Sequence, residues 1–357
     1  MESQSFTLDN EDWGDVFANY SETYSFDQGA VPCARSVNTE SVNTAMAVMY
    51  SLVCLLAMAG NVLVMIVILH NRRTMSSTDI YLLHLAIADV LFAITLPFSA
   101  ADVINGWLFG DAMCKIVSVL KEVNFYSGIL LLACISIDRF LAIVYSARTN
   151  KLKNQFLTNV VCGGVWLFAI LLSLPILVKG VFRPPDSERI LCYEVLDGKS
   201  SAKWRVATRF LRHIAGFLIP LSIMLFCYSV TINRVLKTKG FQKQKAMKVI
   251  IAVVLAFLIC WLPYNITVFI DTLIRSKIIN ETCEMRNPLD KALFATESLG
   301  FLHSCINPIL YAFIGVKFRR NLIKILVTKG IIKQGPIVKY GRSVSTTSES
   351  GLTSTTI

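Results

Sequence analysis

The sequence predicts an all-α membrane protein, a seven-transmembrane helix bundle followed by a short amphipathic eighth helix. Three observations carry that prediction. Apolar runs recur seven times along the chain, each about 20 residues long, the length a helix needs to cross a bilayer. Charged residues make up only 17% of the 357 residues against 54% hydrophobic, which is not the composition of a soluble domain. Basic residues gather in alternate connections between the runs, and that asymmetry sets an orientation.

Residues 1–42 form an arm with eight acidic side chains (Glu2, Asp9, Glu11, Asp12, Asp15, Glu22, Asp27, Glu40) against one basic, Arg35. They contain no apolar core of a cleavable signal peptide, so the first span is expected to direct its own insertion. The spans are placed at Ala45–Leu69, Ile80–Ile104, Met113–Val144, Phe156–Val178, Phe210–Val235, Ala246–Ile274 and Leu289–Ile314. Residues 43–316 then form one bundle, with no separate soluble domain and no internal repeat. The link after span one reads His70-Asn71-Arg72-Arg73. The link after span three carries Arg148, Lys151 and Lys153, and the link after span five carries Arg234, Lys237, Lys239, Lys243, Lys245 and Lys248. The positive-inside rule makes that side cytoplasmic, leaving the acidic arm extracellular and the basic tail inside. Asn19-Tyr20-Ser21 and Asn280-Glu281-Thr282 are glycosylation sequons on the outer side. Asn265-Ile266-Thr267 fits the same pattern but falls within a span.

Ten cysteines divide by place. Six lie in spans and read as small buried hydrophobes. Cys33, Cys114, Cys192 and Cys283 map to the outer side, where two disulfides with three alternative pairings are expected. Cys114, atop span three, and Cys192, in the long second outer loop, are a natural pair, which would join Cys33 to Cys283.

Polar groups at membrane depth mark functional sites by default. In span three Asp138-Arg139 lies 25 residues beyond Cys114, about 37 Å along a helix, so Arg139 reaches the inner face as Cys114 marks the outer one. At the top of span five Arg205, Arg209 and Arg212 share a helical face. Asp271 and Arg275 do so at the top of span six, and Glu297 enters from span seven. Span six holds Trp261 with Pro263, which frees a carbonyl one turn earlier. Span seven holds His303-Ser304-Cys305-Ile306-Asn307-Pro308-Ile309-Leu310-Tyr311.

Residues 317–328 place Phe318, Leu322 and Leu326 on one helical face and Lys317, Arg319, Arg320 and Lys324 on the other. That pattern suits a helix lying on anionic membrane lipid. No cysteine follows Cys305, which excludes palmitoyl anchoring there. The tail, 329–357, ends in a segment, 343–357, with ten serines or threonines. Phosphorylation would make it strongly anionic, and Thr355-Thr356-Ile357 fits a PDZ-domain ligand. No nucleophile–base set, structural metal cluster or paired broken helices stand out, so neither an enzyme nor a transporter is expected. Nor is a nucleic-acid partner.

In order and spacing the chain resembles the rhodopsin-like G-protein-coupled receptors. The matching elements are Gly60-Asn61, Leu85-Ala86-Ile87-Ala88-Asp89, Asp138-Arg139-Phe140, Trp166, Pro220 with Tyr228, Cys260-Trp261-Leu262-Pro263 and Asn307-Pro308-Ile309-Leu310-Tyr311. Thr95-Leu96-Pro97, a second outer disulfide and His303-Ser304-Cys305 look like chemokine receptors. Glu297-Ser298-Leu299-Gly300-Phe301-Leu302 and the Ser354-Thr355-Thr356-Ile357 end are most similar to CXC receptors of the interleukin-8-binding type.

The resemblance implies a plasma-membrane receptor for CXC chemokines that activates heterotrimeric G proteins of the Gi type. It further implies leukocyte chemotaxis, with receptor kinases and arrestin ending the signal. Asp12, Asp15, Tyr20 and Tyr24 of the arm, both tyrosines sulfated, would meet the basic ligand. Arg205, Arg209, Arg212, Asp271, Arg275 and Glu297 would take its N-terminal residues. Asp89, Asn124, Ser304 and Asn307 form the polar core. No cofactor is expected beyond an allosteric sodium ion there, which Gly128 would deny a common serine ligand. Asp138, Arg139, Tyr228, Trp261, Pro263 and Tyr311 would form the switch. Phe140 replaces the usual tyrosine, and Lys243 cannot be the acidic latch some relatives use on Arg139. The competing reading is a non-signalling scavenger receptor, whose mark would be loss of Asp138-Arg139.

Overall fold

The computed structural model describes residues 39–145, 155–183, 189–194, 201–236, 241–276, 278–279, 282–314 and 316–332. The arm's Asp12, Asp15, Asn19, Tyr20, Tyr24 and Cys33, together with Asn280 and the serine-rich tail, lie outside the described residues.

Span one is a single helix, α1 (Thr39–His70). Span two is two helices, α2 (Ser77–Ala93) and α3 (Leu96–Asn105). Ser76 and Asp79 open α2 with a capping box, each side chain bonding the other's backbone N–H at 3.3 and 2.8 Å. Pro97 sits in the first turn of α3, where a missing N–H is tolerated but the preceding helix cannot run through. Span three, α4 (Gly110–Val144), is unbroken over 35 residues, about 50 Å by helical rise. Span four is α5 (Gln155–Ser173), closed by a 3₁₀ turn at Leu174–Val178. The hairpin β1 (Lys179–Phe182) and β2 (Leu191–Glu194) follows.

Span five starts earlier than the apolar run suggested. Helix α6 (Ser201–His213) precedes α7 (Ile219–Leu236), with a π turn at Ile214–Leu218 between them. The first turns carry arginines on one face, so hydropathy alone misses them. Pro220 has no N–H for the carbonyl of Gly216, and the widened turn falls at that point.

Span six is α8 (Phe241–Arg275), continuous through Pro263. Span seven breaks at Leu302 into α9 (Cys283–Phe301) and α10 (His303–Ile314). Among the described residues six helical segments are long and apolar enough to cross a membrane by themselves. The seventh is assembled from the two pieces α9 and α10, the first rich in charge. Helix α11 (Val316–Thr328) follows and packs back on α10 and α1.

Span three is the central post, packed against spans two, four and five, while span seven closes the ring between six and one. The core follows it, with Phe125, Ile129, Leu132 and Ile135 buried against Phe257 and Trp261. Large side chains such as Leu55 (67% exposed) and Phe156 (73%) point outward, as a lipid-facing surface requires.

Candidate functional site: an outer cavity above a polar core

The disulfide Cys114–Cys192 is present, with Cα atoms 5.6 Å apart. It ties β2 to the head of α4 and folds the hairpin over a cavity of about 660 Å³. The partner pairing of Cys33 with Cys283 lies outside the described residues.

All six bundle positions expected to meet ligand line this cavity: Arg205, Arg209, Arg212, Asp271, Arg275 and Glu297. Three of the six are engaged with one another. Asp271, 1% exposed, takes Arg209, Arg275 Nε at 2.8 Å and Arg286 Nη1 at 2.9 Å. Arg286 also reaches Asp290, Nη2 to Oδ1 at 3.0 Å, so three guanidinium groups meet two carboxylates and one positive charge is in excess. Arg205 Nε lies 2.6 Å from Glu194 of the hairpin. Arg212 pairs with Glu122 of α4. Glu297 has no ion pair within 4.0 Å among the described residues, and neither has Lys121, whose ammonium sits 5.4 Å above the Phe301 ring. Lys121, Glu122 and Arg286 were not foreseen. The first two are charges inside an apolar run, a signal that intramembrane charge marks a site.

A column of rings leads inward. The Arg212 guanidinium lies 4.5 Å above the Phe125 ring, a cation–π contact. Phe125 meets Trp261 edge-on at 4.9 Å, and Trp261 meets His303 at 5.3 Å. Gly300 makes this packing fit, because a Cβ there would sit 3.2 Å from the indole.

Below lies Asp89, fully buried. Asn124 Nδ2 donates to its Oδ1 at 3.2 Å and Asn307 Nδ2 to its Oδ2 at 3.0 Å. The Ser304 hydroxyl turns away to the Phe301 carbonyl at 2.9 Å, and only its carbonyl joins the network, accepting Asn61 Nδ2 at 2.8 Å. Asn124 Oδ1 is buried with no hydrogen-bond donor. A carboxylate beside an unmet amide oxygen fits a small hard cation such as sodium, even though Gly128 offers no hydroxyl.

At the inner end Asp138 binds Arg139 directly, with Arg139 Nε at 3.0 Å, and also accepts from Thr78 Oγ1 at 3.2 Å. Phe140 packs on Phe226 with ring centroids 6.0 Å apart, and Tyr228 is buried nearby. The side chains of Lys243 and Tyr311 lie outside the described residues.

The bundle, the outer cavity and the Asp138–Arg139 pair define a seven-helix membrane receptor, and the comparisons with known proteins agree. Residues 60–311 match the family described as 7 transmembrane receptor (rhodopsin family). The chain belongs to that family and, within it, to the CXC chemokine receptors. It is 50% identical over 361 residues to C-X-C chemokine receptor type 2 of Oryctolagus cuniculus, covering 99% of this chain and 100% of the relative. Identity to the Homo sapiens type 2 receptor is 49% over 361 residues, 100% of this chain and 99% of the relative. The type 1 receptor of Pan troglodytes is 50% identical over 343 residues, 96% of this chain and 97% of the relative.

Proposed function

We propose that the chain is a plasma-membrane receptor that binds CXC chemokines and activates heterotrimeric G proteins of the Gi type, driving leukocyte chemotaxis. The observation that carries this reading is the continuous packing from Arg212 through Phe125, Trp261 and His303 to Asp89. It joins an outer cavity lined with charge to a buried polar core. The acidic arm, extracellular in this reading, steers a basic ligand by its field, which raises association rate more than final affinity. The ligand's leading residues then enter the cavity and exchange contacts with Arg209, Arg275 and Asp271. Those arginines are held only by other side chains, so a competing charge can re-pair them. Re-pairing Arg212 shifts the ring stacked beneath it, and Trp261 and Pro263 give span six a bend about which its inner end swings.

The inner consequence is release of Arg139 from Asp138 to meet the G-protein tail. Sodium, held by Asp89 with Asn124, would supply positive charge that favours the resting bundle. Helix α11 lies on the cytoplasmic lipid surface in this reading. The phosphorylated tail is gripped by arrestin after receptor kinases act, and the terminal Thr355-Thr356-Ile357 offers a PDZ-domain partner a strand. A binding panel of CXC chemokines on cells expressing the receptor tests the ligand class. High-affinity binding of interleukin-8-type members is expected, and failure to bind any CXC chemokine at full surface expression would refute it.

A further inference from the structure

The hairpin of the second outer loop is tied to span three by Cys192–Cys114. Phe182 and Leu191 are its last pair, so Ile190 and Arg189 lie at its tip. There they meet the outer end of span two. The Ile190 carbonyl accepts the Trp107 N–H at 2.8 Å. The Arg189 guanidinium donates through Nη2 to the carbonyls of Asp102, at 2.6 Å, and Val103. Both carbonyls lie in the last turn of α3, where helical donors run out, and Asp102 keeps one from Gly106 at 2.9 Å. A cation there also meets the negative end of the helix dipole.

Gly106 shows how closely the two loops are fitted. Its φ of 79° lies in the left-handed region that glycine enters freely. A Cβ there would stand 2.7 Å from both Arg189 Cγ and the Ile190 carbonyl oxygen. Trp107, 3% exposed, packs beside Ile190. The base of the hairpin is held elsewhere. Glu194 meets Arg205 of span five, and Lys179, its opposite in the ladder, continues from span four. Cys192, Tyr193 and Glu194 line the outer cavity, whereas Arg189 and Ile190 are not among its lining residues. The disulfide alone does not dictate that placement. Three residues of extended chain from Cys192 span about 10 Å, enough to reach over part of the cavity mouth.

We propose that Arg189 is a positioning residue for ligand entry: by capping the outer end of span two it latches the hairpin tip beside the cavity and keeps the mouth clear. Released, the tip pivots at the disulfide and occupies the mouth part of the time. The apparent association rate then falls with the fraction of time the mouth stays open. Once the ligand's leading residues are seated, the tip has no hold on them, so dissociation keeps its rate. The inference rests on the reading of the cavity as the ligand site, and adds to it a residue that touches no ligand.

Two measurements on the full chain test it. Amide hydrogen exchange of the purified, ligand-free receptor in detergent reads the latch, because the Trp107 N–H is protected by its bond to Ile190. Arg189→Met keeps the apolar stem without donor or charge, and is expected to speed exchange at Trp107 about tenfold. Arg189→Lys, which keeps a cation at the helix end, is expected to stay close to the unmodified chain. Binding kinetics with an interleukin-8-type chemokine read entry. Arg189→Met is expected to slow association about fivefold with dissociation nearly unchanged, a split that loss of stability alone does not produce, and Arg189→Lys to restore it. Should Arg189→Met not reach the surface, Gly106→Ala strikes the same latch from the span-two side, with the same two results expected. Unchanged exchange at Trp107 would overturn the latch. Faster exchange with unchanged association would overturn the role in entry. If the unmodified chain bound no chemokine, the ligand reading would fall, and the exchange result would still decide the latch.

Discussion

Asn61 donates its Nδ2 to the carbonyl of Ser304 at 2.8 Å, the carbonyl that Pro308, lacking an N–H, leaves unbonded one turn later. The residue before it, Gly60, lets the proline approach, since a Cβ there would sit 2.8 Å from Pro308 Cβ. Spans one and seven are thus fitted to each other by two adjacent residues. Gly60→Ala is expected to lower stability by about 1–3 kcal/mol through overpacking. Asn61→Leu is expected to cost about 1–3 kcal/mol by orphaning a buried carbonyl. Thermal unfolding in detergent reads both, and an unchanged midpoint would remove the argument.

Arg212 and Glu122 bury an ion pair between spans five and three, at 18% and 13% exposure. Removing one partner leaves an unpaired buried charge, a loss of about 3–5 kcal/mol where burial is complete and less here. Arg212→Ala should therefore lower the midpoint more than the double replacement Arg212→Met with Glu122→Leu. It should also blunt chemokine potency, because the ring column loses its outer end.

The inner latch has a different signature. Asp138 holds Arg139 and accepts from Thr78. A hydrogen bond to a charged group contributes about 1.5–3 kcal/mol, and 1.4 kcal/mol is a tenfold shift in population. Asp138→Asn is expected to raise ligand-free nucleotide exchange roughly tenfold. Thr78→Val should raise it less, by a few-fold.

Neutralising Asp12, Asp15, Glu22 and Asp27 is expected to slow chemokine association by about tenfold at low salt and to leave dissociation nearly unchanged. The difference from the unmodified receptor should shrink as salt rises. Stopped-flow or surface-binding kinetics at two ionic strengths measure it.

Much of this was legible in the sequence because hydropathy and charge report directly on a bilayer. Spans three and four started within three residues of their helices, whereas the helices of spans one and six begin six and five residues before the apolar runs. The start of span five was missed, because Arg205, Arg209 and Arg212 make its first turns polar while neighbouring side chains still pair with them. The break in span seven was hidden because it arises at Leu302, from the His303 and Ser304 bonds to the carbonyls of Gly300 and Phe301. Among site residues, Arg209, Asp271 and Arg275 share a cavity as expected, yet their mutual pairing, with Arg286 added, depends on tertiary approach that spacing cannot encode. Lys121 and Glu122 were readable as charges inside an apolar run. Ser304, expected in the polar core, joins it through its backbone carbonyl, which accepts from Asn61, while its hydroxyl bonds the Phe301 carbonyl. His303 takes the place beside Asp89.

The most direct test of the receptor reading is the fall in cyclic AMP evoked by a CXC chemokine, measured with and without pertussis toxin in cells expressing the unmodified chain or Arg139→Ala. The expected result is a toxin-sensitive fall with the unmodified chain, lost in Arg139→Ala while chemokine binding persists. Binding and internalisation with no change in cyclic AMP would contradict it and identify a scavenger.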